Sequence, residues 1–158
     1  MAKPLTDSDL MNAIIGAAPG SPLAELRAQR PDILRHTQGS HDVLVSPDDP
    51  GGLSLAERAL VARCVAKLSD HVALTDHYQA LLNARGAPPP NPRTTTILTH
   101  SERLAAAPGS ATKAHLATLA AAGLGARDIV ALAQLVAFVA YQVRAAVGLA
   151  LLAQEKAA

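Results

Sequence analysis

The stretch from Leu53 to Gly86, LSLAERALVARCVAKLSDHVALTDHYQALLNARG, holds most of the side chains in this chain that could do chemistry. If a helix starts near Asp70, then His71, Leu74 and Tyr78 stand at i, i+3 and i+7 on one stripe. The helix dipole disfavours positive charge at that end, so His71 could act as a base, a hydrogen-bond partner or a metal ligand. Tyr78 could donate a proton or a hydrogen bond, with Leu74 as the apolar floor of a small pocket between them. His77 sits at the edge of the stripe, roughly 240° around the helix from His71, so the two cannot chelate one ion and no metal is expected. The structural alternatives are a His71 bonded to neighbouring backbone and a packed Tyr78 with its hydroxyl satisfied.

Three further residues belong to the same reading. Glu57 could point into the pocket as a substrate-binding group, although Ser54-Leu-Ala-Glu57 is also a capping box that accounts for it. Arg144 interrupts a long apolar run; if buried it must pair, with an internal carboxylate or carbonyl, a bound anion or a second subunit. Cys64 is the only cysteine, which excludes an intrachain disulfide or a CxxC pair within this sequence. It reads as an apolar filler. His100, Glu102 and Arg103 read as an ordinary exposed helix face.

The elements that must position these groups are helical, because apolar residues recur with helical period and few segments alternate as strands do. A first helix, capped by Thr6 or Asp7, should end at Pro19-Gly20. Ser21-Pro22 opens a second to about Gln29, and Pro31 a third to about Val45. Ser46 to Gly52 is a loop. It separates a helical N-terminal extension, 1–50, packed on the core, from the core itself, 51–158. In the core, Ser54 caps a helix with Leu60, Val61, Cys64, Val65 and Leu68 on one stripe. Asp70 caps the next, closed near Arg85 by Gly86. The proline-rich segment 87–92 cannot be helical. Helices at about 93–106 and 112–122 follow, and Arg127 to about Gln154 is the longest. The expected class is all-α, about seven to eight helices, ending in a long C-terminal helix.

Composition narrows the function. Net charge is +1 and only three residues are aromatic, so the chain lacks both the basic footprint and the stacking platforms of nucleic-acid binders. The cluster Arg27, Arg30, Arg35 and His36 reads as a solvated face. The N-terminus has no apolar leader, and a single cysteine suits a reducing compartment, so a cytoplasmic protein is expected. The run Ile129–Leu152 is broken by Gln134, Gln142 and Arg144, which favours a buried helix over a membrane span. Apolar residues make up 49% of the chain, mostly Ala, Leu and Val. Small side chains bury little area per helix, which favours a homo-oligomer.

The Leu53–Gly86 segment resembles the core of the alkyl hydroperoxidase D-like (AhpD-like), carboxymuconolactone decarboxylase (CMD) family, in its peroxidase-related branch. In that family an LS-x-x-E/R opening precedes a helix, a short break and a helix starting CxxCxxxH. The phrase AAGLGARDIVALAQLVAFVAYQVR, with an arginine after an aromatic residue, looks like the family's second half, and APGSPLAELRAQRPDI looks like a CMD subfamily. The resemblance covers about 51–154. It implies an AhpD-like helical bundle and a homo-oligomer: dimer, trimer or hexamer. It also implies a site in which two thiols near a helix N-terminus are activated by the dipole. Here the motif positions carry His71, Leu74 and Tyr78, and the family's relay glutamate falls on Ala59. Shifting the register by one brings in His77, but Asp70 and Ala73 then occupy the cysteine positions. Neither register supplies a thiol. The resemblance therefore implies a member without the peroxidatic pair, with no cofactor. It would be a non-redox acid/base enzyme on a small molecule, using His71, His77 or Tyr78 with Arg144 as anion anchor, or a non-catalytic binding or assembly partner of an active relative; a true alkyl hydroperoxidase working through Cys64 alone is the third and least favoured alternative.

Overall fold

A computed structural model describes residues 9–155 of the chain. Among them are eight α-helices and one 3-10 turn, with no strand: α1 (Leu10–Ile14), α2 (Pro22–Ala28), α3 (Pro31–Val45), α4 (Leu55–Leu68), α5 (Val72–Arg85), α6 (Pro92–Ala106), the turn Pro108–Ser110, α7 (Lys113–Ala121) and α8 (Ala126–Glu155). The class is all-α, as composition and period led one to expect.

Most helix ends follow local chemistry. The Ser21 side chain accepts from the Ala24 amide, with Pro22 inside the first turn. Ser54 and Glu57 form the reciprocal capping box of α4, and Asn91 and Thr94 form another on α6. Thr6 and Asp7 lie outside the described residues. The cap of α1 is Asp9, whose Oδ1 accepts from the Met11 and Asn12 amides. Its other oxygen is 3.0 Å from Arg27, a nearly buried ion pair that ties α1 to α2.

The core is centred on α4, which packs against α3, α5, α6 and α8. Val61, Ala62, Val65 and Ala66 of α4 meet Leu74 and Tyr78 of α5, Ile97 of α6, and Leu132, Leu135, Val136 and Val139 of α8. The apolar stripe expected on α4 is therefore rotated. Leu68 is 49% exposed, whereas Ala62 and Ala66 are fully buried. A helix with neighbours on several sides buries its smallest residues where backbones come closest, and an apolar count alone does not reveal that face.

The long helix α8 also departs from expectation. Its Leu132, Leu135, Val139 and Gln142 are buried, but Val130, Tyr141, Val147, Leu151 and Leu152 are between 43% and 58% exposed. Arg144 is exposed too, with no ion-pair partner among the described residues. Length and hydropathy alone would let this helix cross a bilayer, but one face is part of the core and packs on α3, α4 and α6. It is half-buried, where the sequence suggested burial all round.

Candidate functional site

The α4–α5 break shapes the region where the chemistry was expected. The Asp70 amide bonds to Lys67 O and the His71 amide to Ala66 O, and Asp70 takes φ 51°, the only positive φ outside glycine among the described residues. This is the Schellman closure of a helix, with an aspartate at the left-handed position that short polar side chains tolerate. Asp70 therefore ends α4 and does not cap α5. His71 is the cap: its Nδ1 accepts from the Leu74 amide at 3.3 Å. The imidazole is thus engaged with the first turn of its own helix and makes no described hydrogen bond to a neighbouring one.

Leu74 and Tyr78 share the inward face of α5, as their spacing required, and both are 0% exposed. The Tyr78 hydroxyl donates to Gln142 Oε1 of α8 at 2.5 Å. Burial pushes the Tyr78 phenol far above its usual range, outweighing that hydrogen bond, so it is a poor acid near neutrality. Four clefts among the described residues have other linings: the α1–α2 connection and α2 with Leu152, the 43–58 segment with the start of α8, Ile33 with Tyr141, and α6 with α7. None of the four is lined by His71, Leu74, His77 or Tyr78. The face shared by Leu74 and Tyr78 is packed.

His77 has a partner that sequence reasoning missed. Its ring stands edge-on to Tyr78, centroids 5.0 Å apart, and lies 6.0 Å from the ring of His41 on α3. His41 in turn stacks near Tyr78 at 6.5 Å. The Nε2 atoms of both histidines are buried without a hydrogen-bond partner, while His41 Nδ1 is 3.4 Å from Asp42 Oδ1. Burial pushes both imidazoles below their ordinary value, His41 despite the Asp42 carboxylate beside it, and the nearby Arg85 acts in the same direction. Two neutral rings with free lone pairs can accept a proton or a hydrogen bond. No group of three or more His, Cys, Asp or Glu side chains suited to a metal occurs among the described residues. Nothing in α3 marks His41, because its role depends on a helix crossing distant in sequence.

The remaining candidates are structural in position. Glu57 is 7% exposed and pairs with Arg93 Nε at 2.7 Å while it closes the capping box at the Ser54 amide. Burial alone would push its carboxyl up, but Arg93 and the Ser54 amide hold it below the ordinary range. Arg93 also donates to Ala122 O and Gly52 O. Arg58, 4% exposed, donates to the carbonyls of Leu44, Leu53 and Pro50, and Arg85 to those of Val45 and Leu55. Three arginines thus hold the 44–55 segment by its carbonyls. The arginine paired with Glu57 is Arg93, and the expected anchor Arg144 is exposed.

Cys64 is half-buried, its Sγ 3.7 Å from Glu102 Oε1. Burial, with Glu102 adding, pushes its thiol up to about 11, the opposite of an activated thiol. His100, expected on an exposed face, is only 6% exposed, with Nδ1 unpartnered.

No protein-family model matches the chain, and no curated protein matches it in sequence. Solved structures do match. An uncharacterized peroxidase-related protein from Silicibacter sp. TM1040 is 21% identical with a TM-score of 0.61, over 93% of this chain and 85% of that one. The alkylhydroperoxidase AhpD core of an uncharacterized peroxidase-related protein from Ralstonia eutropha JMP134 is 25% identical with a TM-score of 0.56, over 89% of this chain and 80% of that one. The resemblance read from the Leu53–Gly86 segment therefore holds across nearly the whole chain at the level of architecture, and the chain has the all-α fold of the AhpD-like, peroxidase-related proteins.

Proposed function

We propose that this chain is an AhpD-like protein without thiol peroxidase chemistry that works as a binding or assembly subunit. One observation carries this reading: two of the three motif positions, Leu74 and Tyr78, are fully buried core, and the third, His71, caps α5. A packed site combined with an exposed apolar surface is what an assembly role requires. On α8, Val130, Ala137, Tyr141, Gly148 and Leu152 lie within about 40° of one line along the helix, and Arg144 lies on the same face. We infer that this stripe meets a second copy in a homo-oligomer: a dimer, trimer or hexamer. Light scattering at tens of micromolar, roughly where even a weak specific interface is populated, should show more than one subunit, and Tyr141→Glu should dissociate it. A wild-type monomer at that concentration overturns the reading.

A second reading, a non-redox acid/base enzyme on a small molecule, is favoured by the His41–His77 pair, whose Nε2 atoms are buried and unpartnered. Native mass spectrometry separates the two. A small molecule that copurifies with the wild type and is lost in His77→Asn, with subunit number unchanged, supports the enzyme over the assembly role.

A further inference from the structure

Between α6 and α7 lies a cleft of about 160 Å³ whose lining includes His100, Arg103, His115, Thr95, Thr99 and Thr118. No carboxylate lines it. Arg103 has no ion-pair partner among the described residues, and its one side-chain hydrogen bond among those described is to the Ser110 hydroxyl, at 3.4 Å. His115 uses Nδ1 to accept from the Thr112 amide at 3.0 Å, which leaves Nε2–H as a donor. His100 is 6% exposed, and its buried Nδ1 has no hydrogen-bond partner among the described residues. The hydroxyls of Thr95 and Thr99 make no bond within the protein among those described, so they are free to donate. One fixed cation, imidazole and hydroxyl donors and no acid make a surface for an anion. The only permanent charge is that of Arg103, which matches a single negative charge and not a dianion. Threonine methyls and imidazole carbons supply apolar wall beside it.

We propose that this cleft binds a short-chain monocarboxylate, its two oxygens held by Arg103 with His115 Nε2–H and the threonine hydroxyls, and its alkyl end against the threonine methyls. The site is separate from the α5 region and does not depend on the assembly reading. A carboxylate placed here also favours protonation of the His100 imidazole, which gives a second readout beside the amide shifts.

The test is titration of the isotope-labelled full chain with acetate and propionate, followed by nuclear magnetic resonance of the α6–α7 amides and the imidazole nitrogens. The expected result is saturable binding at millimolar concentration, tighter for propionate, with the His100 titration moved to higher pH. Arg103→Gln should weaken it about tenfold, and Arg103→Lys should recover part of the loss. Arg103 is a surface residue, so an unchanged unfolding temperature in both variants separates lost binding from lost fold. Shifts that never saturate, that chloride reproduces, or that keep the wild-type concentration dependence in Arg103→Gln overturn the proposal. Tighter binding of phosphate than of either carboxylate overturns the assigned class.

Discussion

Replacing Tyr78 with phenylalanine removes one oxygen from a fully buried site and leaves Gln142 Oε1, on a side chain that is 1% exposed, without its donor. An orphaned buried polar group costs about 1–3 kcal/mol. For a chain of this length each kcal/mol moves the unfolding midpoint by about 2–4 °C, so Tyr78→Phe should lower it by about 2–12 °C. Gln142→Leu orphans the tyrosine hydroxyl instead and should cost a similar amount. The double variant removes both partners, and the loss should be much less than the sum, because two apolar groups of similar shape meet with nothing left unpaired. Denaturant unfolding of all four proteins, with the slope checked for constancy, measures the coupling directly. Strict additivity, or a Tyr78→Phe protein as stable as the parent, refutes the view that this tyrosine is a satisfied core residue.

Acid should destabilise the fold in two steps. His41 and His77 are held below their ordinary value of 6.5 in the folded state, so the unfolded chain takes up protons first and stability falls as pH drops below 6.5; His77→Asn should flatten that slope between pH 7 and 5. Glu57 is held below its ordinary 4.5, so its contribution is full above 4.5 and disappears as pH falls through the lower folded value. Glu57→Gln should remove that second step, and an unchanged acid limb would contradict the Arg93 pairing. A β-carbon on Gly52 would stand 2.4 Å from Asp128 Oδ2, the carboxylate whose other oxygen accepts from the Gly52 amide. Gly52→Ala should therefore cost about 1–3 kcal/mol in thermal unfolding, whereas Gly109→Ala, with open space around it, should not.

What could be read from the residues was local. Ser21-Pro22, Ser54 with Glu57, Gly86 and the prolines before Arg93 act within one helical turn, and the helices begin and end where that chemistry places them. Asp70 was misread because an aspartate serves equally as an N-cap or as a left-handed closing residue. The tight approach of α5 to α4 selects the second. The His41–His77 contact, the Glu57–Arg93 pair and the outward turn of Arg144 arise from helix crossings between residues far apart in sequence. Hydrophobic period places a residue on a face, but it does not say which neighbour that face meets. His100 shows the same limit: the local pattern reads as an exposed face, yet the residue is only 6% exposed.

Hydroperoxide reduction with a dithiol donor, measured on the wild type and on Cys64→Ser, addresses the filled site most directly. Leu74 and Tyr78 are buried core, and burial pushes the thiol of Cys64, the one cysteine in the sequence, up to about 11, so both proteins should match the buffer rate with an organic hydroperoxide. Turnover well above buffer in the wild type that vanishes in Cys64→Ser would contradict it.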